Sequence, residues 1–279
     1  MSFLVLLLVL WVEKFSALRR RVQRDGVLFD TLQRLEARPS WAAHPEWLLT
    51  VVLVVPAVLL ALLLAVLQPV AYGLFALPVH LLVVIYSLGR GDLQQALGPF
   101  RDAWRREDAQ AAMRVAERDL GLTGDSSAHV LEQVQARLLW QAYEGFFAVI
   151  FWYALLGPVA ALSYRLLALI ASHSAHPGVA ERAAQVRHAF DWLPVRLLAA
   201  SFALVGNFVA VSKVMLHELL SWDISAAALI ARVGRVAGEV PEPVVGPLGL
   251  ASLDDLWQML VRAAVLWYSG FAIWTVLGI

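Results

Sequence analysis

Residues 47–67 read WLLTVVLVVPAVLLALLLAVL and contain no charged side chain. The hydrocarbon core of a bilayer is about 30 Å thick, and a helix of about 20 mostly apolar residues crosses it. This stretch therefore predicts a membrane-spanning helix. A second uncharged run, residues 70–88, follows directly after Gln68-Pro69. Because proline has no backbone N–H to donate, we expect a tight turn there and a helical hairpin formed by the two runs.

Two more spans are predicted further along the chain. One runs from about residue 138 to residue 170, and the other from about residue 261 to the C-terminus. The first is too long for one perpendicular crossing, so it tilts, projects into water, or kinks at Gly157-Pro158. The fold class is therefore all-α, a polytopic membrane bundle of about four to six helices, and we treat residues 1–279 as a single membrane domain.

Two apolar segments remain open at this stage. Residues 1–12 are short, and Glu13 and Lys14 end them. They lack the basic n-region of a cleavable signal peptide, which favours a signal anchor or a helix that enters the bilayer only partway. Residues 197–212 lie between Arg196 and Lys213, and they either span with both cations reaching the interface or stay buried without crossing.

Composition excludes several classes of protein. Hydrophobic residues make up 60% of the chain and charged residues 16%, against about 45–50% and 25% in soluble domains. The formal net charge is zero and no polybasic tail is present, so we expect no nucleic-acid partner. Cysteine is absent, which excludes disulfides, thiolate nucleophiles and cysteine-based zinc sites.

The distribution of cations predicts the topology. Fourteen of the 22 Lys and Arg residues lie in two connectors, residues 13–46 and 89–138, which the predicted hairpin places on one side of the membrane. By the positive-inside bias that side is the cytoplasm. Residues 89–138 read as a cytoplasmic helical insertion, with Asp92, Asp108 and Ser126 or Ser127 as helix caps. Residues 215–260 read as an acidic connector that contains proline and glycine.

No motif of a known enzyme chemistry is present: there is no Walker A loop, G-x-S-x-G elbow, His-Glu-x-x-His or dinucleotide fingerprint. His173 and His176, with His188 nearby, are weighed as metal ligands, but two polar loop histidines explain the pattern better. We therefore expect neither a metal nor a cofactor.

The charges inside apolar segments are the best candidates for a polar site. A charge at mid-bilayer costs about 2.5–3.5 kcal/mol on insertion scales, so such residues usually face the bundle interior and have a partner. Glu144 either pairs with Arg196 or another cation as structure, or lines a polar site. Asp191 is predicted to cap a helix that Pro194 begins. The candidate polar site comprises Arg118, Asp119, Glu144, Arg165, Asp191 and Arg196.

Three segments resemble the AmpE family: FFAVIFW at residues 146–152, LGPVAALSYR at 156–165 and DWLPVRL at 191–197. AmpE proteins are cytoplasmic-membrane proteins associated with the regulation of inducible β-lactamase in Gram-negative bacteria. The resemblance implies an inner-membrane sensor or signalling modulator linked to peptidoglycan recycling. It also implies, as partners beside the lipid bilayer, a muropeptide or other cell-wall-derived ligand and a second copy of the chain as a homodimer.

The same segments are similar to the CobD/CbiB membrane enzymes of cobalamin biosynthesis, which attach an aminopropanol phosphate arm to a corrinoid carboxylate. The Gly-Arg-Asp-Thr of those enzymes appears here as Glu117-Arg118-Asp119-Leu120, and their Asp-Gly as Glu144-Gly145. Their Gly-Asp-Pro loop has no counterpart. Two alternatives to signalling follow: an amide-forming membrane enzyme whose Arg118, Asp119, Glu144 and Arg196 converge in one pocket, and a muropeptide transporter with a continuous polar path.

Overall fold

A computed structural model of the chain describes residues 5, 7–8, 23, 25–69, 74–89, 93–240 and 247–277. These residues fall into two compact units. Unit 1 comprises residues 1–88, 148–191 and 275–279, and unit 2 comprises residues 89–147 and 192–274. The predictions for residues 1–12, for a cap at Asp92 and for the proline-containing stretch 241–246 fall wholly or largely outside the described residues.

Helices make up the secondary structure of the described residues. In chain order they are α1 (Gly26–Glu36), α2 (Pro39–Ala42), α3 (Pro45–Leu67), α4 (Ala76–Ser87), α5 (Leu93–Arg105), α6 (Ala109–Val115), α7 (Ser127–Ala142), α8 (Ala148–Leu156), α9 (Pro158–His173), α10 (Pro177–Val205), α11 (Phe208–Glu218), α12 (Ala226–Ala237) and α13 (Pro247–Leu277). Two π-helical turns, Ala116–Leu120 and Tyr143–Phe147, extend α6 and join α7 to α8.

Four helical segments of the described chain are long and apolar enough to cross a bilayer: Pro45–Leu67, Ser127–Leu156, Pro177–Val205 and Gly249–Leu277. The all-α membrane fold is therefore confirmed. α3 ends at Leu67 and a turn occupies residues 68–69, as the Gln68-Pro69 pair predicts. The run after it forms only the shorter apolar helix α4. Leucines and valines of α3 stay exposed on the protein surface, where lipid would cover them.

The prediction of one span over residues 138–170 is wrong. The helix that starts at Ser127 ends at Leu156, and Pro158 begins a separate helix, α9, which packs against α8. Gly157 between them has φ +81°, a left-handed conformation that glycine adopts without a steric penalty. Together with a proline at the first helical position, this makes residues 157–158 a helix break rather than a kink.

The interpretation of residues 171–191 as loops or short helices is also wrong, because α10 begins at Pro177 and runs to Val205. Val179 and Ala183, one turn apart, are fully buried, so the charged residues between them lie on the other faces of a helix. Asp191 and Pro194 lie inside α10 and do not start a helix. A proline there costs one backbone hydrogen bond, which membrane helices tolerate.

The core of unit 1 joins α1, α3, α9 and the first half of α10. It consists of Leu32, Leu48, Leu49, Val52, Leu167, Ile170, Val179 and Ala183. α4 and α8 also pack on α9 or on each other, and a hydrogen bond of 3.0 Å between His80 Nδ1 and the Tyr153 hydroxyl joins these two helices. α9 is therefore the element around which unit 1 is built.

Unit 2 contains the predicted helical insertion. α5 packs on α6 and α7, and its Phe100 and Trp104 are fully buried. Asp108 caps α6 by accepting from Ala111 N at 2.9 Å, and Ser126 caps α7 by accepting from His129 N at 3.2 Å, both as predicted. α7 also packs on α12, and α12 packs on α11.

Candidate functional site

A cluster of buried charged and polar side chains lies in unit 1, where α9 meets α10 and the start of α1. We call it the buried ion cluster and define it by Asp25, Tyr164, Arg165, Arg187 and Asp191. Asp25 and Asp191 are 1% and 3% exposed, Tyr164 is fully buried, and Arg165 is 8% exposed. Ionised side chains are rarely buried to this extent unless they are paired.

Asp191 lies at the centre of one half of the cluster. Its Oδ1 accepts a hydrogen bond of 2.8 Å from the Tyr164 hydroxyl, and its Oδ2 lies 3.4 Å from Arg187 Nε. Arg187 is one helical turn before Asp191 on α10, and its guanidinium lies 6.0 Å from the centroid of the Tyr164 ring. One carboxylate therefore ties α10 to α9 through a hydroxyl and to its own helix through a cation.

Arg165 and Asp25 form the other half. Arg165 Nη2 donates to Asp25 Oδ2 at 3.3 Å, which joins α9 to the residue just before α1. Near Asp25 in sequence, Gln23 is also buried and donates from Nε2 to the carbonyl oxygens of Ile85 and Leu88, at 3.0 and 2.6 Å. The chain around residues 23–25 is therefore held by polar contacts to both α9 and the end of α4.

The charges of the buried ion cluster balance, since two carboxylates face two guanidinium groups. Desolvating a charge costs several kcal/mol, and removal of one partner of a buried pair costs about 3–5 kcal/mol because the other charge is left uncompensated. Replacing such pairs with apolar side chains is often neutral or stabilising. Packing alone therefore does not account for two buried ion pairs in one small unit, which makes the cluster the best candidate for a functional site.

Arg196 has a different role from the one predicted. In unit 2 its guanidinium donates to three backbone carbonyl oxygens, those of Trp192 at 2.8 Å, Leu219 at 2.5 Å and Ser221. It also lies 4.3 Å from the centroid of the Trp192 ring. Its donors therefore hold the end of α11 against α10, and the predicted ion pair with Glu144 does not form among the described residues.

Arg118 and Asp119 lie on the π-helical turn that extends α6, and they bind each other. Arg118 Nε and Nη2 donate to the two carboxylate oxygens of Asp119 at 2.6 and 2.8 Å. This hydrogen bond, together with the charge of Arg118, lowers the pKa of Asp119. The Arg118 side chain is 72% exposed, and exposed pairs of this kind contribute little to stability.

Glu144 lies in the π-helical turn Tyr143–Phe147. Such turns are rare and occur frequently at functional sites. The next residue, Gly145, meets Gly89: Gly89 N donates to Gly145 O at 2.7 Å, and a Cβ on Gly145 would lie 2.9 Å from Gly89 Cα. Two glycines let the backbones touch, so the turn that carries Glu144 is held by main-chain contact.

The structure brings only some of the predicted site residues together. Arg118 pairs with Asp119, while Arg165 and Arg196 pair with groups outside the predicted set. Among the described residues, none of these three arginines binds Glu144 or Asp191, so no shared hydrogen bond or ion pair supports the single pocket that the enzyme hypothesis requires. The chain does place the neighbours Tyr164 and Arg165 and the helix α10 residue Asp191 in one cluster.

Three members of the buried ion cluster were not predicted from the sequence. Asp25 lies in a cation-rich connector and looks like an exposed residue, and Tyr164 is one of several aromatic residues in an apolar run. Arg187 and Asp191 are four residues apart, which is a helical ion-pair spacing. That signal becomes visible only once residues 177–205 are known to be one helix.

His173 and His176 do not form a metal site with other described residues. His173 lies against the Phe29 ring, with centroids 4.8 Å apart, and its Nδ1 is 2.7 Å from Ser172 Oγ. Within the described part of the chain there is no group of three or more His, Cys, Asp or Glu side chains placed to hold a metal ion.

Comparison with known proteins identifies the family. A family model described as "Regulatory signalling modulator protein AmpE" matches residues 1–229. The chain belongs to the AmpE family. Protein AmpE of Shigella flexneri is 28% identical over 158 residues, which cover 52% of this chain and 56% of that protein. The match thus spans little more than half the length of this relative, and no solved structure matches the chain. The buried ion cluster and Glu144 both lie inside the segment that the AmpE family model covers.

Proposed function

We propose that this AmpE-family chain is a membrane-embedded modulator of inducible β-lactamase expression, linked to peptidoglycan recycling. The match of the signalling-modulator family over residues 1–229 carries the proposal. A muropeptide or another cell-wall-derived molecule is the ligand class that fits this role. The membrane helices of the described chain support a place in the bilayer.

The buried ion cluster is the part of the chain to which we assign the modulation. Two buried ion pairs connect three segments, namely the start of α1, α9 and the first half of α10. A signal that changes one of these pairs would leave a buried charge uncompensated, at a cost of about 3–5 kcal/mol. A cost of that size is sufficient to switch a two-state element from one conformation to the other.

We place the chain in the cell inner membrane with connectors 13–46 and 89–138 on the cytoplasmic side. The fourteen cations of these connectors support this orientation. Because the chain has no cysteine, Asp102→Cys creates a single labelling site on α5. A membrane-impermeant maleimide should label it only after the cells are permeabilised, and labelling in intact cells would refute the orientation.

The proposed function is tested by deleting the gene in a strain that carries an inducible β-lactamase. The ratio of induced to basal β-lactamase activity should change in the deletion strain and return when the full chain is supplied on a plasmid. An unchanged ratio in the deletion strain, with the protein shown to be present in the parent strain, would refute the proposal.

A further inference from the structure

A groove of about 500 Å³ lies in unit 2 between α7 and α12. Its volume falls in the range of about 300–1,000 Å³ that is typical of small-molecule sites. Small apolar side chains line part of it, including Ala136 of α7 and Ala228 and Ala231 of α12. These short side chains leave space between the two helices, and longer charged side chains line the rest.

The charged lining has both signs. Arg232 and Arg235 are three residues apart on α12, while Glu132 comes from α7 and Glu239 follows the end of α12. Two guanidinium groups and two carboxylates therefore line one apolar groove, and their formal charges cancel. A site for a simple anion or a simple cation would carry an excess of one sign, and this groove carries none.

Glu239 is held in place by an unusual backbone conformation and by a neighbour. Its φ is +49°, in the left-handed region that non-glycine residues rarely adopt, although Gly238 lies directly before it. The Asn207 side chain donates from Nδ2 to Glu239 Oε1 at 2.6 Å, and Asn207 N donates to Ala237 O at 3.1 Å. Strained non-glycine residues of this kind concentrate at functional sites, so the position of this carboxylate is a second sign of a binding site.

The ion pairs already present leave the charged groups available to a ligand. Arg235 binds Glu132, and Arg232 Nη1 donates to Glu218 Oε1 at 2.7 Å. The side chains of Arg232 and Glu132 are 57% and 46% exposed. Exposed ion pairs of this kind contribute little to stability, so a ligand that supplies both a cation and an anion can exchange partners with them.

We propose that the groove between α7 and α12 binds a small zwitterion that carries a primary ammonium group and an acidic group. The acidic group lies against Arg232 and Arg235, because guanidinium binds carboxylate and phosphate in the same two-point geometry. The ammonium group lies against Glu132 and Glu239, and the aliphatic part covers the alanines. Two sources carry this chemistry: a short peptide with free ends, and the headgroup of phosphatidylethanolamine. This site is separate from the buried ion cluster and does not depend on the proposed function.

The test uses the full chain in nanodiscs made of phosphatidylcholine, whose headgroup has no ammonium N–H to donate. Ala-Ala is titrated by calorimetry beside its N-acetylated and its C-amidated forms. In a second arm, native mass spectrometry measures whether the chain retains phosphatidylethanolamine in preference to phosphatidylcholine. A peptide ligand gives binding in the first arm, and a lipid headgroup gives retention in the second.

Two neutral variants and one control sharpen both arms. Glu239→Gln removes the charge and keeps an oxygen for Asn207, and Arg232→Gln removes a cation whose own pair is exposed. Each should weaken binding or retention about tenfold or more, as expected for the loss of one charged hydrogen bond. Arg105→Gln on α5, which breaks an exposed pair with Asp102 outside the groove, should leave both unchanged.

The outcomes separate cleanly. Saturable binding of Ala-Ala that falls at least tenfold when either end is blocked, or selective retention of phosphatidylethanolamine, supports the proposal when both variants weaken it and melt within a few degrees of the wild type. Equal binding of the blocked peptides, equal binding by Glu239→Gln or Arg232→Gln, or absence of an effect in both arms overturns it. None of these results depends on β-lactamase, so failure here leaves the proposed function standing.

Discussion

Tyr164→Phe is the sharpest test of the buried ion cluster, because it deletes one oxygen atom and keeps the ring. The Tyr164 side chain is fully buried and its hydroxyl donates to the Asp191 carboxylate at 2.8 Å. The variant leaves that carboxylate buried with one donor fewer. A hydrogen bond to a charged group contributes about 1.5–3 kcal/mol to stability, and we expect a loss of that size.

The loss is measurable as a change in the melting midpoint of the purified protein in detergent. One kcal/mol corresponds to about 2–4 °C in a chain of about 150–250 residues, so Tyr164→Phe should lower the midpoint by about 3–12 °C. A double-mutant cycle with Asp191→Asn isolates the pair, and its interaction energy should lie well above about 0.5 kcal/mol, the scatter expected for independent sites.

Tyr153→Phe is the matched control. Tyr153 is equally buried, but its hydroxyl contacts the His80 imidazole at 3.0 Å and no carboxylate. A bond between uncharged groups contributes only about 0.5–1.5 kcal/mol, so this variant should lose less than Tyr164→Phe. The account of the cluster would be refuted by equal losses in the two variants or by an interaction energy near zero in the cycle.

Three further predictions concern the other parts of the site analysis. Gly145→Ala should destabilise the protein because its Cβ would lie 2.9 Å from Gly89 Cα, whereas Gly270→Ala, which meets nothing within 4 Å, should leave the melting midpoint equal or higher; a fall of equal size in both would contradict the close contact. Arg196→Gln should raise hydrogen exchange after α11, where the arginine binds the Leu219 and Ser221 carbonyls, and unchanged exchange there would count against this role. Arg118→Gln should raise the pKa of Asp119, followed by NMR titration, because the hydrogen bond and charge that lower it are removed. In the wild type, the contribution of Asp119 is therefore present above the carboxyl pKa of the unfolded chain and is lost as the pH falls through its lower folded value; an Asp119 titration that is the same in both proteins would exclude this pairing.

The fold class follows from the sequence because long uncharged runs have few alternatives in water. The end of α3 at Gln68-Pro69 and the caps at Asp108 and Ser126 are also local signals, carried by one or two residues. Such features need no knowledge of the rest of the fold. They could therefore be predicted with the residues that produce them.

The errors concern helices whose limits depend on tertiary packing. The uncharged run over residues 146–156 continues past Gly157-Pro158, so hydropathy alone joins two helices that the backbone separates. Residues 177–191 show the opposite error, since their charges suggest a loop although Val179 and Ala183 are buried in a helix. A local pattern cannot reveal a face that is buried only by another element.

The candidate site was half predictable for the same reason. Arg165 and Asp191 attract attention as charges in or beside apolar segments, but their partners are distant in sequence. Asp25 lies 140 residues from Arg165, and Tyr164 lies 27 residues from Asp191. Which charge neutralises which is decided by how α1, α9 and α10 pack, and no spacing rule along the chain contains that information.

The most direct test of the central claim is complementation of the deletion strain with Asp191→Asn. This variant keeps the shape of residue 191 and removes the charge shared by Tyr164 and Arg187. Arg118→Gln, which breaks only an exposed pair, is the control, and both proteins are assayed at equal membrane level and below their melting midpoints. The account predicts that Asp191→Asn leaves the induced-to-basal β-lactamase ratio at the deletion value while Arg118→Gln restores it. Full restoration by Asp191→Asn would contradict the account.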